Sequence, residues 1–260
     1  MDYTIEDKYK LNGNRPSKGC QAKYFRNNYW YKIDGSCNEG LNEHVVSLIL
    51  KCSNYRNFVY YERCNVNGRK ACRSYSFLDK NEEFIDISDI IRTTFYVSSA
   101  ENFIWSLPNV EDRFRCIVEG VRRYTEGKID YTYTLRIILY LDMFILNRDR
   151  HLSNLGIILN TETEKFRAAP IFDNGLSLLG GCRNIIFEHG IENAIQSQNA
   201  RTISGSFIGQ CLASTGNRLE SPLKINFRQL NRLLNNEPVD RYIIEVLKYQ
   251  YKNVGRLFEK

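Results

Sequence analysis

The pattern of hydrophobic and polar positions divides this chain into a strand-rich first third and a mostly helical remainder. Residues 21–26 and 29–34 are aromatic-rich runs that flank the pair Asn27-Asn28. Asparagine tolerates the positive φ that the central positions of a tight hairpin turn require. The pattern therefore predicts a β-hairpin at the start of the strand-rich part.

A helix and a second hairpin are predicted next. Apolar residues recur at helical spacing over residues 39–52, namely at Leu41, Val45, Leu48, Ile49 and Cys52. Residues 57–66 and 70–78 are again β-rich and flank Asn67-Gly68, a second pair suited to a hairpin turn. The first third thus predicts a small sheet with one helix laid across it.

From about residue 83 the periodicity becomes helical. The predicted elements are helices at 112–124 and 132–146, short strands at 155–159 and 168–172, and helices at 226–235 and 239–258. The helix at 132–146 is apolar on nearly every side, which indicates a buried helix. Residues 180–222, rich in Gly, Ser and Asn, predict loops and short helices without candidate chemistry. The whole pattern predicts an α+β protein.

The composition excludes several classes of protein. With 43% hydrophobic and 25% charged residues over 260 positions, the chain is not typical of disordered, collagenous or coiled-coil proteins. The net charge of +6 suits a phosphate-bearing ligand. The basic residues are nevertheless dispersed and form no nucleic-acid-binding pattern, so we expect no nucleic-acid partner.

The cysteines and the apolar stretches indicate the compartment. None of the eight cysteines is spaced as CxxC, which argues against a zinc ribbon or finger. A disulfide framework is the alternative, although a chain of this length can bury a core without one. The first residues lack signal-peptide character, and the most apolar stretch, 135–146, is too short to span a bilayer. We expect a cytoplasmic protein with reduced thiols and no membrane partner.

A polar segment, residues 147–154, follows the buried helix and carries the strongest candidate chemistry. Asp149 and Asn154 have the D-x-x-x-x-N spacing of protein-kinase catalytic loops, and Asp173 ends the second short strand farther along. Phosphoryl transfer needs a carboxylate that accepts the hydroxyl proton and oxygen ligands that hold Mg²⁺ on the nucleotide phosphates. We therefore expect Asp149 to act as the base and Asn154 and Asp173 as metal ligands. A solvated connecting loop is the alternative.

The segments NRDRHLSNLGI and APIFDNG resemble the catalytic and metal-binding segments of the HipA-like serine/threonine kinases. That family has a catalytic loop like N-x-D-R-H-x-x-N-x-G and a metal-binding Asp in a motif like aP-x-[YF]-D. The residues that fall on these patterns are Asn147, Asp149, Arg150, His151, Asn154, Gly156, Pro170, Phe172 and Asp173. The DRHxxN core also occurs in phosphatidylinositol kinases, so it does not select the acceptor.

The resemblance implies a two-lobed, protein-kinase-like fold. The small, β-rich lobe with one helix would cover residues 1–80, and the larger, mostly helical lobe would cover residues 81–260. The chain is about as long as the kinase core alone. The resemblance therefore implies a compact kinase domain without the extra N-terminal module of HipA toxins.

Upstream, Gly13 to Lys18 resembles the phosphate-binding loop of the same family, which is of a G-x-x-P-K type. The resemblance implies that Gly13 and Lys18 contact nucleotide phosphates. Ser17 stands between Pro16 and Lys18, which departs from the family pattern, and a plain Gly/Pro surface turn is the alternative. If the loop holds phosphates, Ser17 is a candidate for autophosphorylation, and its added charge would repel the nucleotide.

Lys32 ends an alternating aromatic run, in the position where the family places its nucleotide-binding lysine. A kinase lysine of this kind is held by a glutamate of the following helix. Glu43 is the expected partner, and Glu39 at the helix start is the competitor. His151 is interpreted as a hydrogen-bonding residue of the loop, with direct catalysis as the alternative.

Three function hypotheses follow for the chain. The first is ATP- and Mg²⁺-dependent phosphoryl transfer to a Ser/Thr hydroxyl of an unidentified protein substrate, as the HipA-like resemblance implies. The second is a lipid or small-molecule kinase, because the same groups serve any hydroxyl acceptor. The third is a nucleotide-binding pseudokinase or interaction module, which the doubtful phosphate loop would allow.

Overall fold

The computed structural model describes residues 1–11 and 22–259 as a mixed α+β fold. The elements of its first part are β1 (Asp2–Tyr3), β2 (Lys23–Arg26), β3 (Tyr29–Ile33), α1 (Glu39–Lys51), β4 (Tyr61–Val66) and β5 (Arg69–Tyr75). Among the described residues these strands form one sheet in the order β1-β4-β5-β3-β2, with β1 parallel to β4 and the other pairs antiparallel. Gly13, Ser17 and Lys18 lie outside the described residues.

Both predicted hairpins are confirmed, and the backbone conformation of their turn residues explains why they form. Asn27 and Asn28 adopt φ values of 51° and 62°, and Asn67 and Gly68 adopt 51° and 74°. Positive φ at both central positions is the type I′ geometry, whose twist matches that of the flanking strands. The predicted helix at 39–52 is confirmed as α1.

Successive side chains of a strand point to opposite faces of the sheet, so the two faces of this sheet carry different kinds of side chain. Tyr24, Tyr31 and Ile33 belong to an apolar cluster on one face. Lys23 and Lys32 alternate with them, and the antiparallel register pairs these two lysines directly across β2 and β3. Directly opposed residues point to the same side of a sheet, so both lysines lie on the opposite face.

The second part begins with a strand rather than a helix. Its elements are β6 (Glu82–Asp86), α2 (Ile87–Phe95), α3 (Ala100–Ser106), α4 (Val110–Tyr124), α5 (Thr132–Ile145), β7 (Gly156–Asn160), β8 (Lys165–Ala168), α6 (Arg183–Gln196), α7 (Phe207–Ser214), α8 (Phe227–Leu234) and α9 (Arg241–Val254). The expectation of helix from residue 83 is therefore wrong at its start. β6 forms because it pairs antiparallel with β7, and Asp86 then caps α2 by accepting a hydrogen bond from the Asp89 backbone N–H at 2.7 Å.

The strand predicted at 168–172 is displaced. The strand that pairs with β7 is β8, which ends at Ala168. The short turn after Asn160 places Lys165 directly opposite Asn160, and this pairing sets the register of the two strands. The chain then leaves this sheet, and Ile171 forms an isolated parallel bridge with Phe58 near the first sheet. The segment that leads to Asp173 therefore crosses from one sheet towards the other.

One core joins the two parts of the chain. Residues of α1 such as Val45 and Ile49 belong to the same buried cluster as Leu139 and Phe144 of α5. α5 is buried on nearly every side, as its sequence predicts. Because α1 packs into the helical core as well as against the first sheet, its side chains are fixed relative to the loops that follow α5.

The cysteines and helices add two observations. Within the described residues the cysteines are free thiols, namely Cys37, Cys52, Cys64, Cys72, Cys116, Cys182 and Cys211. In the same part of the chain, every helix is too short or too polar to traverse a bilayer.

Candidate active site

The candidate catalytic loop begins where α5 ends in a left-handed residue. Leu146 has a φ of 55°, which turns the chain out of the helix. The Asn147 amide then donates to Asp142 Oδ1 at 3.2 Å, and its side-chain oxygen accepts from the Asp149 backbone N–H at 3.2 Å. The Asn154 amide donates to the carbonyl oxygen of Asp149 at 3.3 Å. These bonds fix the backbone between the predicted base and the predicted metal ligand.

Arg150 ties this loop to the segment around Asp173. Its side chain is 1% exposed and forms an ion pair with Asp142, which is equally buried, at 3.1 Å. The guanidinium also donates to the Phe172 carbonyl and to Asn174 Oδ1, both at 2.5 Å. Asp142 therefore compensates the buried charge, and the remaining donors hold the residues on both sides of Asp173.

Asp173 itself adopts the left-handed backbone region, with a φ of 60°. This region is uncommon for residues other than glycine, although Asp and Asn are enriched in it. The bond from Arg150 to Phe172 fixes the residue before Asp173, and the bond from the Asn174 backbone N–H to Glu43 Oε2, at 2.9 Å, fixes the residue after it. The surrounding structure thus determines the direction of the Asp173 side chain.

Lys32 is the centre of the charged cluster between the two parts of the chain. Its Nζ donates to Glu43 Oε1 at 2.9 Å and to Asp173 Oδ1 at 2.8 Å. Glu39, the competing partner, instead accepts a hydrogen bond from the Gly35 backbone N–H at 2.9 Å. The structure therefore brings Lys32, Glu43 and Asp173 together, although Asp173 is distant from Lys32 in sequence.

The charged groups in this cluster shift one another's pKa values. Burial disfavours the Lys32 ammonium, but the carboxylates of Asp173 and Glu43 outweigh it and raise the pKa of Lys32 well above its usual value. Burial likewise opposes ionisation of Asp173, but the Lys32 charge outweighs it and lowers the pKa of Asp173. Both groups are therefore charged at neutral pH.

The predicted base, Asp149, is partly open to solvent. Its side chain is 36% exposed, and its Oδ1 accepts a hydrogen bond from Arg201 Nη1 at 2.7 Å. Arg201 lies in the stretch 180–222, for which the sequence predicts no chemistry. The next residue, Thr202, is buried and donates to the Arg150 carbonyl at 3.0 Å, which anchors this stretch to the candidate catalytic loop.

His151 is also part of this loop. Burial lowers the pKa of its imidazole, so the ring is neutral at pH 7. Its backbone N–H donates to the Asp149 carbonyl at 3.0 Å, and its own carbonyl accepts from the Asn154 backbone N–H at 2.9 Å. The backbone of His151 thus contributes to the shape of the loop.

The donor set suits Mg²⁺ better than a transition metal. Asp173 and Asn154 offer a carboxylate and an amide oxygen, and because the Asn154 amide N–H binds the Asp149 carbonyl, its oxygen is available as an acceptor. Magnesium prefers such hard oxygen ligands and keeps several waters. Among the residues that the structure describes, there is no group of three or more His, Cys, Asp or Glu side chains that could hold a metal.

Several residues of the cluster have no role in the sequence prediction. Asp142 is an acidic residue inside a helix that is buried on nearly every side, which is a signal that could have indicated a buried ion pair. Asn42 is fully buried on α1 and donates to the Gly175 carbonyl at 2.8 Å, which holds the segment after Asp173. Lys23 and Arg201 carried no local signal, because only the sheet register and the long-range packing place them here.

A search of protein-family models found no match to this chain, and a search of curated proteins found none either. Two solved structures are similar. The first is the crystal structure of a Helicobacter pylori proinflammatory kinase, CtkA, with a TM-score of 0.68 and 14% identity over 99% of this chain and 96% of that one. The second is the complex of HipA, HipB and operator DNA from the toxin–antitoxin system of Shewanella oneidensis MR-1. It has a TM-score of 0.52 and 11% identity over 96% of this chain and 67% of that one.

At these identities the similarity establishes the fold. The chain has a HipA-like kinase fold, which combines the curled sheet and α1 with a larger helical part. The fold predicted from the motifs is therefore confirmed. The chemistry rests on the site itself.

Proposed function

We propose that this protein catalyses ATP- and Mg²⁺-dependent phosphoryl transfer to a Ser/Thr hydroxyl of a protein substrate. The observation that carries the proposal is the cluster in which Lys32 contacts both Glu43 and Asp173. Arg150 connects the same Asp173 segment to the loop that bears Asp149. A phosphate-binding cation, metal-ligand oxygens and a carboxylate base are the parts that this reaction requires.

Each residue of the candidate site has a distinct role in this proposal. Lys32 binds the nucleotide phosphates, and Glu43 keeps its ammonium in place. Asp149 orients the acceptor hydroxyl and accepts its proton as the new O–P bond to the γ-phosphorus forms and the bond from that phosphorus to the ADP leaving group breaks. Asn154 and Asp173 would hold Mg²⁺, which would offset the charge of the phosphates when bound.

The fold supports the proposal, because the similar H. pylori protein is a kinase and the similarity extends over nearly the whole chain. We place the reaction in the cytoplasm, where the free thiols of the described residues would stay reduced. The acceptor could also be a lipid or a small alcohol, since the same residues would act on any hydroxyl.

The experiment is incubation of the purified protein with γ-labelled ATP and Mg²⁺, alone and with a host-cell extract, followed by separation of protein, lipid and metabolite fractions. The control is Asp149→Asn, which keeps the size of the side chain but cannot accept the proton. Label on protein Ser or Thr that depends on Asp149 supports the proposal. Label only in the lipid or metabolite fraction would assign a different acceptor. Nucleotide binding without any transfer would favour a pseudokinase.

A further inference from the structure

A groove lies between α8 and α9, on the part of the surface under which α5 ends. Its volume is about 580 Å³, which is within the ~300–1,000 Å³ of typical ligand pockets. Apolar side chains from all three helices line it, among them Phe144, Leu230 and Leu247. Such a lining favours an apolar side chain over water, so the groove is suited to receive one.

The charged side chains of the groove are cations. Arg228 of α8 and Lys248 of α9 line it and are exposed, and none of the described residues that line it is acidic. Among the residues that the structure describes, neither cation has an ion-pair or hydrogen-bond partner for its side chain. The acidic residue of α9, Glu245, pairs instead with Arg241 at 3.1 Å. The groove therefore complements an apolar side chain that is flanked by negative charges.

α6 presents a side chain of this kind to solvent. Phe187 is 92% exposed, and Glu188 follows it directly. Glu188 lies 3.6 Å from the neighbouring His189, and Glu192 has no ion pair within the described part of the chain. A large aromatic ring in water gains free energy when it is buried. The chain thus carries both an apolar, basic groove and an exposed aromatic ring beside two carboxylates.

These two features lie on neighbouring parts of the surface. Arg183, the first residue of α6, forms an ion pair with Asp240, the residue that precedes α9. A face that carries a projecting side chain and a matching groove can meet a second copy of itself reciprocally. Such a contact closes as a two-fold dimer and does not propagate into a fibre.

We propose that this face joins two copies of the chain, with Phe187 of each copy in the groove between α8 and α9 of the other. Glu188 and Glu192 then lie against Arg228 of the partner subunit and Lys248 of the partner subunit. The contact removes the ring from water and gives the cations opposite charges. The inference goes beyond the proposed function, because it assigns an interaction surface and does not depend on phosphoryl transfer.

Sedimentation velocity at a series of protein concentrations measures the dimer Kd of the full chain. Phe187→Asn removes the ring, and Asn231→Trp fills the groove from an exposed position of its lining. Each variant should weaken dimerisation about tenfold or more, because the burial of an aromatic side chain is lost. Tyr96→Asn is the matched control, since Tyr96 is 95% exposed elsewhere on the surface, and its Kd should stay within about twofold of the parent.

A mixture of the two groove-contact variants separates a lost contact from a lost fold. Phe187→Asn keeps its groove, and Asn231→Trp keeps its ring, so a mixed dimer retains one of the two contacts. We expect the mixture to dimerise more tightly than either variant alone. A mixture that is no better than its components would contradict the reciprocal arrangement.

Charge reversal tests the complementarity directly. Arg228→Glu/Lys248→Glu should weaken dimerisation about tenfold, because the groove would then repel the carboxylates of α6. Adding Glu188→Lys/Glu192→Lys to the same chain restores opposite charges at both contacts and should return the Kd to within about threefold of the parent.

The control for charge reversal is Lys80→Glu/Lys165→Glu, which changes two exposed lysines outside the groove and should leave the Kd unchanged. A parent that stays monomeric at every concentration would overturn the inference, as would a dimer that none of the groove or α6 variants weakens. A monomeric parent that sediments with phosphatidylserine vesicles would assign the groove to a membrane surface and would also overturn it.

Discussion

The ion pair between Arg150 and Asp142 gives the sharpest test of how the site is held together. Both side chains are 1% exposed, and Arg150 also donates to Phe172 and Asn174 beside the candidate metal ligand. Arg150→Met replaces the guanidinium with an apolar side chain and leaves Asp142 buried without its cation. We expect the protein to lose about 3–5 kcal/mol of unfolding free energy. This is a large part of the roughly 5–15 kcal/mol that stabilises a typical domain.

The double variant Asp142→Leu/Arg150→Met separates stability from positioning. Replacing a buried ion pair by apolar residues of similar volume is often neutral or stabilising, so most of the lost free energy should return. The bonds to the Phe172 carbonyl and Asn174 cannot return, because the guanidinium is absent. We therefore expect a stable double variant whose phosphoryl transfer stays at least about tenfold below the parent.

The pH dependence of Arg150→Met has a defined sign. Burial raises the pKa of Asp142 above its usual value, and Arg150 opposes that shift. Without Arg150 the folded protein holds the Asp142 proton more strongly than the unfolded chain, whose carboxyl titrates near ~4. The deficit should therefore be smallest below about pH 4 and should grow as the pH rises through the folded-state pKa.

Urea unfolding of the parent, Arg150→Met, Asp142→Leu and the double variant at pH 5 and pH 8 measures the stabilities, and the γ-labelled ATP assay measures phosphoryl transfer. The reasoning would be refuted if Arg150→Met lost less than about 1 kcal/mol at pH 8. It would also be refuted if the double variant recovered full transfer along with its stability, because Arg150 would then have no positioning role.

Two further predictions concern side chains around the cluster. Glu43→Gln should lower the rate of phosphoryl transfer more than about tenfold, because it removes the charge that holds Lys32. Glu39→Gln should keep its transfer rate within about twofold of the parent. Equal losses for the two variants in a kinase assay would contradict the pairing of Lys32 with Glu43. Arg201→Ala should leave the unfolding free energy within about 1 kcal/mol, because its ion pair with Asp149 is largely exposed, and should change transfer at most about fivefold. A larger loss of transfer would show that Arg201 acts in the transition state.

The parts of the fold that local chemistry determines could be predicted from the sequence. Asn27-Asn28 and Asn67-Gly68 specify their hairpins through the φ values that they tolerate. The strand β6 was missed because it depends on pairing with β7, and a five-residue run carries too little periodicity to reveal that pairing. The shift of the strand before Asp173 has the same origin, since the turn after β7 sets the register.

In the candidate site, too, local motifs revealed some residues, whereas others are placed there only by long-range packing. The motif spacing indicated Asp149 and Asp173, and Glu43 was the expected partner of Lys32. Nothing local to Lys23 distinguishes it from a solvated strand lysine, since its burial arises from residues elsewhere in the chain. Arg201 likewise reaches Asp149 from a segment of unremarkable composition.

The most direct test of the account is whether Asp173 and Asp149 separate nucleotide binding from transfer. ATP titrations with and without Mg²⁺, together with single-turnover transfer, should be measured for Asp173→Ala and Asp149→Ala. We predict that Asp173→Ala loses Mg²⁺-dependent ATP binding. Asp149→Ala should keep its ATP affinity within about threefold and lose transfer by about a hundredfold or more. Asp149→Ala that loses ATP binding as severely as Asp173→Ala, or that still transfers phosphate at the parent rate, would contradict the account.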